Sequence, residues 1–256
     1  MSLVKSPDLT PEKLGNIVVM RGRIPLAVRY WQQRLAYSMR YRGVAGTLEH
    51  AWRFLQFRIG DWSFDRRYGV ETSERVHPAQ FGISPFLAAN SEEYRPVPAA
   101  FQGVLRSLRI EYPDWVFVDL GAGKGRALFL AAQFPFREIV GVEISSKLVG
   151  IARQNIAGFQ AKRSNQARIQ LIQEDAGAYR FPDSNLLIFL HNPFHGEIMQ
   201  AVVRNIEAFV EQSGKQVRLI YWNPFHSDLL GSCTRLKLQK RTAHYHIYKS
   251  CSEPYV

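Results

Sequence analysis

A run of glycines and two acidic residues carry the strongest chemical signal in this 256-residue sequence. Asp119 is followed by Gly121, Gly123 and Gly125, where an apolar run gives way to a helix-forming segment. Glycines at a strand-to-helix turn let the backbone pass close to a ligand, with free amide N–H groups directed at it. Glu143 ends the next apolar run, where a carboxylate can accept both hydrogen bonds of a ribose diol. The pattern predicts binding of either a nicotinamide dinucleotide or an adenosyl cofactor.

The spacing of the glycines separates these two ligands. The dinucleotide fingerprint G-x-G-x-x-G would place its third glycine at position 126, which is Arg126, and the extra glycine comes one place early at Gly125. The order D-x-G-x-G-x-G from Asp119 instead resembles the class I S-adenosylmethionine-dependent methyltransferases. The resemblance covers roughly residues 94–250. It implies a Rossmann-like fold and methyl transfer from S-adenosylmethionine.

This resemblance also assigns roles to the cofactor-binding residues. It implies that Asp119 lies near the methionine amino group and that the glycines, Gly125 included, lie under the cofactor. Glu143 would hold the ribose hydroxyls. Asp175 would accept a hydrogen bond from the adenine amino group, and Ala176 would supply its backbone N–H. Together with Asp119–Arg126 and two Asn-Pro-Phe sequences, the stretches Asp65–Thr72 and Tyr94–Pro96 resemble a bacterial methyltransferase group. The Tyr-x-Pro sequence at Tyr94 and the glycine motif from Asp119 more faintly resemble the non-SET histone lysine methyltransferases.

One tetrapeptide occurs twice, as Asn192–His195 and as Asn223–His226. Each copy follows an apolar strand, so we expect both at the carboxyl edge of the sheet, where ligands bind. The first copy stands where the resembled family faces the transferred methyl, and it is one proline short of the motif with which amino methyltransferases hold a target nitrogen. Asn192, Pro193 and Phe194 are therefore the catalytic candidates. For the second copy a favoured turn start is an equal alternative.

Histidines near these strand ends are candidates for a catalytic base, which methyl transfer needs only when the acceptor must first lose a proton. His191, His195 and His226 are set against the alternative of an ordinary polar wall. Pro193 between His191 and His195 excludes the helical zinc arrangement H-E-x-x-H. We predict no metal site.

Strands and helices alternate along the second half of the chain, which predicts a mostly parallel sheet with helices on both faces. The predicted strands are Trp115–Leu120, Glu138–Glu143, Ala167–Gln173, Asn185–His191, Gln216–Trp222, Arg235–Gln239 and Tyr245–Lys249. The predicted helices are Gly125–Phe134, Ser146–Phe159 and Glu197–Gln212, with a one-sided helix after Pro98. The last two strands form an antiparallel hairpin, giving seven strands and the fold of an α/β class I methyltransferase.

Three regions follow from composition and charge. Residues 1–60 carry ten basic and three acidic residues, about +7 of the net charge of +11, around a predicted helix from Pro25. This extension is either an accessory helix or an arm that binds nucleic acid or a membrane surface. Residues 61–97 are predicted to be a loop-like lid, and residues 98–256 the S-adenosylmethionine-binding domain. With two cysteines, no C-x-x-C pair and no secretory signal, a reducing, cytoplasmic location is expected.

The function predicted from these observations is methyl transfer from S-adenosylmethionine to an unidentified acceptor. An amine of a protein, a nucleic acid or a small molecule is one candidate acceptor. The first alternative is a non-catalytic scaffold that binds the cofactor without turnover. The second is a nicotinamide oxidoreductase, which Arg126, Asp175 and Asn192 disfavour.

Overall fold

The computed structural model describes residues 60–162, 168–231 and 233–251, which lie in one compact unit. The predicted basic extension lies outside the described residues except for residue 60. No helix of the described residues is long and apolar enough to cross a membrane.

Seven strands and seven helices make up the described part of the chain. The strands are β1 (Trp115–Leu120), β2 (Glu138–Glu143), β3 (Ile169–Gln173), β4 (Asn185–Leu190), β5 (Val217–Trp222), β6 (Leu236–Arg241) and β7 (Tyr245–Ser250). The helices are α1 (residues 60–68), α2 (Pro85–Ala89), α3 (Phe101–Ser107), α4 (Arg126–Ala131), α5 (Ser146–Ala161), α6 (Gly196–Ser213) and α7 (Ser227–Gly231). Short 3-10 turns cover Pro78–Gln80 and Tyr112–Asp114.

The strands form one sheet in the order β3-β2-β1-β4-β5-β7-β6. Strands β1 to β5 are parallel, and β7 is antiparallel to both of its neighbours. The predicted fold class is confirmed. From β1 the chain builds outward through β2 and β3 on one side, and through β4 and β5 on the other. The carboxyl ends of β1 and β4 therefore form the switch point at which open α/β sheets bind ligands.

The central strands of the sheet, β2, β1, β4 and β5, are buried on both faces, as their continuous apolar runs predict. All six residues of β1 are buried. Val116 and Val118 belong to the core on one face with residues of α6, while Phe117 belongs to the core on the other face with residues of α4. This alternation follows from the two-residue repeat of a strand. Rigid layers on both faces fix the positions of the loops at the strand ends.

The region predicted as a loop-like lid begins instead with the helix α1. Phe64 and Tyr68 lie one helical turn apart, with their ring centroids 4.7 Å from each other, and the Tyr68 ring lies 5.3 Å from Phe159 of α5. Two aromatic residues four positions apart that pack on the domain stabilise a helix. The sequence did not predict this helix because most of the residues around the pair are polar. The Asp65 carboxylate then accepts hydrogen bonds from the backbone N–H groups of Thr72 and Ser73 at 2.8 and 2.9 Å, which anchors the chain beyond α1.

The two cysteines are free thiols, with Cys233 buried and Cys251 half-buried. They lie close to each other at the open end of the β6–β7 hairpin. The backbone N–H of Cys251 donates to the carbonyl of Arg235 at 3.1 Å. Both cysteines are therefore free thiols in the part of the chain that the structure describes.

Candidate active site

The glycine loop between β1 and α4 has a backbone that only glycine adopts readily. Gly121, Gly123 and Gly125 have φ values of 81°, 55° and 88°. A Cβ at Gly121 would lie 2.5 Å from Cβ of Pro193, and one at Gly123 would collide with the ring of Tyr94. Gly121 and Gly123 line a cavity at the switch point. Gly125 instead caps the N-terminus of α4 and does not line that cavity.

Glu143 at the end of β2 holds the glycine loop from the side. Its two carboxylate oxygens accept hydrogen bonds of 2.8 Å, one from the backbone N–H of Gly123 and one from that of Ser145. Burial raises the pKa of the carboxyl group, and these backbone N–H groups oppose the rise. Each oxygen keeps a further lone pair, so the carboxylate can accept hydrogen bonds from a ligand in the cavity that it lines.

Asp119 is buried at the end of β1, with 3% of its surface exposed. Burial raises the pKa of its carboxyl group well above the usual value, and the charge of Glu143 raises it further. Such a carboxyl group is stabilised when a cation binds beside it, because the cation favours its ionised form. Asp119 also lines the cavity, so the site is suited to a ligand with a positively charged group at this end.

Two further predicted cofactor residues lie after β3 on the same cavity wall. Oδ1 of Asp175 accepts a hydrogen bond from the backbone N–H of Gly177 at 2.8 Å, which fixes the orientation of the carboxylate. Ala176 is buried beside it. The structure thus brings together six of the seven predicted cofactor residues around one cavity, with only Gly125 behind it.

The first Asn-Pro-Phe copy contributes Pro193 and Phe194 to the cavity wall, but not Asn192. Asn192 has a left-handed backbone, with φ of 46°, and is 7% exposed. Its Oδ1 accepts a hydrogen bond from the hydroxyl of Tyr221 on β5 at 2.8 Å. The next carbonyl, that of Pro193, accepts from the backbone N–H of Glu92 at 3.0 Å. Each of the two oxygens to which the resemblance assigns a target amine therefore already accepts one hydrogen bond from the protein.

Of the three candidate bases, His191 is the one that lines the cavity. Burial lowers the pKa of its imidazole to about 4, and the positive charge of Arg95 contributes. His191 is therefore neutral at physiological pH. Its Nε2 lies 3.0 Å from Nδ2 of Asn223, the first residue of the second copy. Asn223 also has a left-handed backbone, with φ of 49°.

The other two histidines lie at the rim and contact each other. The rings of His195 and His226 are 5.4 Å apart, and Nε2 of His226 is 3.7 Å from a carboxylate oxygen of Glu92. Neither histidine lines the cavity. Among the described residues, no group of three or more His, Cys, Asp or Glu side chains could hold a metal ion.

The segment before α3 belongs to the predicted lid, and it contributes eight residues to the cavity wall that the sequence did not identify one by one. The wall residues from this segment are Phe81, Leu87, Ser91, Glu92, Glu93, Tyr94, Arg95 and Val97. Ser91 and Phe194 pair as an isolated antiparallel bridge, so this backbone runs along the first Asn-Pro-Phe copy. The Tyr94 hydroxyl donates to the carbonyl of Thr72 at 3.0 Å, and its ring packs on Gly123. The Tyr-Arg-Pro sequence was the available signal, but nothing in it shows this contact.

Arg126, which breaks the dinucleotide fingerprint, is 2% exposed. A terminal nitrogen of its guanidinium lies 2.7 Å from Oδ1 of Asp61, and the group lies 4.4 Å from the ring centroid of Phe64. This residue therefore joins the glycine loop to α1. The pairing could not be foreseen because its members are far apart in the chain.

Comparison with known proteins agrees with the predicted family resemblance. A family model described as a methyltransferase domain matches residues 117–214, the part of the chain from β1 to the end of α6. No curated protein matches the sequence.

Solved structures of methyltransferases show low similarity to this chain. TrmN from Thermus thermophilus is 16% identical, with a TM-score of 0.45 over 60% of this chain and 49% of TrmN. An RNA methyltransferase from Salinibacter ruber in complex with S-adenosyl-L-homocysteine is 17% identical, with a TM-score of 0.42 over 60% of this chain and 92% of the other. A putative methyltransferase, yhhF from Escherichia coli, is 16% identical, with a TM-score of 0.46 over 62% of this chain and 89% of the other. This chain thus spans about half the length of TrmN.

The assignment rests on the family model and the sheet order rather than on these low similarities. Residues 117–214 match a methyltransferase domain, and they lie within the seven-stranded, Rossmann-like sheet.

Proposed function

We propose that this protein transfers a methyl group from S-adenosylmethionine to an acceptor that remains to be identified. One observation carries the proposal. Asp119, Gly121, Glu143 and Asp175, which come from the ends of three neighbouring strands, line a single cavity that Pro193 and Phe194 also line. A cavity of this kind at the switch point of an open α/β sheet is where a nucleoside cofactor binds.

The residues of the cavity fit S-adenosylmethionine on two grounds. The absence of Cβ atoms at Gly121 and Gly123 leaves a backbone cradle that larger residues would fill. The buried carboxyl group of Asp119 favours a cationic partner, and the cofactor carries an ammonium group in its methionine part. Glu143 would hold the ribose hydroxyls and Asp175 the adenine amino group. The bound cofactor supplies a methyl group activated on a sulfonium centre.

The chain's own part in the reaction is positioning and the exclusion of water. Transfer from a sulfonium is an in-line displacement, which holding the two reactants in line accelerates. Pro193 and Phe194 shape the wall where the acceptor meets the methyl group, and Tyr94 covers the glycine loop. His191 stands at the end of β4 as a neutral polar group of that wall.

Binding and transfer assays test the proposal separately. Calorimetric titration with S-adenosylhomocysteine is expected to show binding that Glu143→Ala and Gly121→Val abolish. Glu138→Ala, at the opposite end of β2, is the matched control and should bind normally. Tritium from labelled S-adenosylmethionine should then enter one fraction of a cell extract. If neither nucleoside binds to the intact protein, the proposal fails, and reduced nicotinamide dinucleotide is the next ligand to titrate.

A non-catalytic scaffold that binds the cofactor is the second candidate. The hydrogen bonds that Asn192 and Pro193 already accept within the protein favour it, because they leave each oxygen only one lone pair for an amine. Retained cofactor without transfer of tritium to any fraction would support it.

The location and the basic extension are secondary parts of the proposal. The free thiols of Cys233 and Cys251 suit a reducing compartment such as the cytoplasm. Residues 1–60 would bind an anionic partner, either a nucleic acid or a membrane surface. Removal of these residues should then weaken binding to that partner, and added salt should weaken binding steeply in the full chain.

A further inference from the structure

Two side chains that line the cavity with Pro193 and Phe194 carry N–H groups for which the described residues provide no acceptor. The first is His191. The side-chain amide nitrogen of Asn223 can only donate, so Nε2 of His191 accepts that 3.0 Å hydrogen bond. A neutral imidazole ring with an accepting Nε2 carries its proton on Nδ1. Nδ1 has no partner among the described residues, and it is not one of their buried unpaired atoms. His191 therefore offers an N–H group to a ligand.

The second donor is Arg95. Its Nε donates to Glu93 at 2.9 Å, while the terminal nitrogens of the guanidinium have no partner within the described residues. Arg95 and His191 line the same cavity, and the charge of Arg95 acts on the His191 ring. Together they present N–H groups and a positive charge to whatever enters beside the first Asn-Pro-Phe copy.

Several oxygens near this wall already accept from the protein or face a cation. Asn192, which lies beside the wall, and Pro193 accept from Tyr221 and Glu92. The carboxylate of Glu93 faces both Arg95 and Arg75, the latter at 3.7 Å. The Glu92 carboxylate lies 3.7 Å from Nε2 of His226, which is beyond hydrogen-bond distance. An entering group also meets the N–H groups of His191 and Arg95, which suit an anionic oxygen group.

We propose that the methyl acceptor is a carboxylate, held by Arg95 and by Nδ1–H of His191, and that the product is a methyl ester. This inference rests on the proposed function. A carboxylate oxygen forms a bond to the methyl carbon, the bond from that carbon to sulfur breaks, and its electron pair stays on sulfur. The sulfonium becomes a thioether, and no proton is released. A carboxylate is already ionised at neutral pH, so the reaction needs no base.

The second Asn-Pro-Phe copy thereby acquires a role. Asn223 is a positioning residue, because its amide fixes which nitrogen of His191 carries the proton. Asparagine is also favoured at position 223 because it tolerates the left-handed backbone that this position has.

The stability of the labelled product in alkali tests the acceptor class. After transfer from tritiated S-adenosylmethionine to a fractionated cell extract, mild alkali should release the label as volatile methanol, because it hydrolyses methyl esters. Label that survives alkali, on nitrogen, a phosphate or an ether oxygen, overturns the inference but leaves the proposed function intact. Binding of S-adenosylhomocysteine with no label in any fraction overturns it as well. Failure to bind either nucleoside means that the proposed function itself has failed.

Variants of the two donors test the site. Arg95→Gln should raise the KM for the labelled acceptor fraction at least tenfold, with the affinity for S-adenosylhomocysteine unchanged within twofold. Arg75→Gln, which also removes a partner of Glu93 but lies outside the cavity wall, is the matched control and should leave KM unchanged. An equal effect of the two substitutions would show that Arg95 acts only through Glu93, and would overturn the inference.

The tautomer of His191 is measured without the acceptor, by nitrogen-15 NMR of the imidazole. The wild-type protein should show Nδ1–H. Asn223→Asp replaces the donor with a carboxylate and should shift the ring to Nε2–H, with at least a tenfold loss of kcat. Asn223→Gly keeps the left-handed backbone and removes only the amide, which separates hydrogen bonding from backbone strain. An Nε2–H tautomer in the wild-type protein overturns the assignment.

Discussion

The hydroxyl of Tyr221 donates a hydrogen bond of 2.8 Å to Oδ1 of Asn192, across neighbouring strands of the sheet. Both groups are buried, so this bond satisfies two polar groups that would otherwise be costly inside the fold. It also turns the amide away from the cavity, which Pro193 and Phe194 line without it. The Asn-Pro-Phe sequence therefore places its proline and phenylalanine at the site and uses its asparagine to join β4 to β5.

Tyr221→Phe should destabilise the protein by about 1–2 kcal/mol, because it leaves the amide oxygen of Asn192 buried without its donor. The affinity for S-adenosylhomocysteine should not change. Chemical denaturation of single and double variants with Asn192→Ala measures the coupling between the two side chains, expected at about 1 kcal/mol. Additive effects would contradict the bond.

Glu143→Gln should lower the affinity for S-adenosylhomocysteine at least tenfold. The carboxylate accepts hydrogen bonds from two backbone N–H groups through different oxygens. An amide has only one oxygen, so its NH₂ group would face one of those donors. A stability loss of about 1–3 kcal/mol should accompany the change. Calorimetry and denaturation measure the two effects, and Glu138→Gln on the same strand should alter neither.

The strands and the cofactor residues were predictable from the sequence because each depends on local chemistry. Glu138–Glu143 was predicted with the bounds it has, since a buried parallel strand is continuously apolar and its last residue enters the strand-end loop. The glycines were predictable for a similar reason, because a tight turn against a ligand requires them. The orientation of the Asn192 side chain was not predictable from the sequence. It depends on the left-handed backbone of Asn192 and on the hydrogen bond from the Tyr221 hydroxyl. The pairing of Asp61 with Arg126 joins distant segments, and α1 was concealed among polar residues.

Gly123→Ala should be destabilising by about 1–3 kcal/mol, for two reasons that can be separated. The backbone φ of 55° strains any residue with a Cβ, and that Cβ would collide with the Tyr94 ring. Tyr94→Ala in the same chain removes the collision but not the strain. We therefore expect Gly123→Ala to cost less free energy of unfolding in the Tyr94→Ala background than in the wild-type protein. An equal cost in both backgrounds would mean that backbone strain accounts for the whole effect.

Asp61→Ala should cost about 3–5 kcal/mol, because it leaves the Arg126 guanidinium buried without the carboxylate that lies 2.7 Å away. The surface pair of Arg168 with Glu138, at 3.5 Å, provides the matched control. Glu138→Ala should cost less than about 1 kcal/mol, since exposed ion pairs contribute little. Denaturation of both variants tests whether burial makes the first ion pair contribute more to stability than the second. Equal losses of stability would contradict this explanation.

The stability of the protein should fall as the pH drops from about 6.5 towards 4, in part because of His191. Burial lowers the pKa of its imidazole to about 4 in the folded state, so the folded chain takes up this proton less readily than the unfolded chain does. The contribution is fully present above pH 6.5 and is lost as the pH falls to 4.

His191→Gln removes it, and at pH 4.5 the wild-type protein should have lost about 2–2.5 kcal/mol more than the variant, relative to pH 7. His246, whose pKa is also lowered by burial, contributes in the same direction and is present in both proteins. Parallel profiles for the wild-type protein and His191→Gln would show that His191 takes up its proton equally well in the folded and unfolded states.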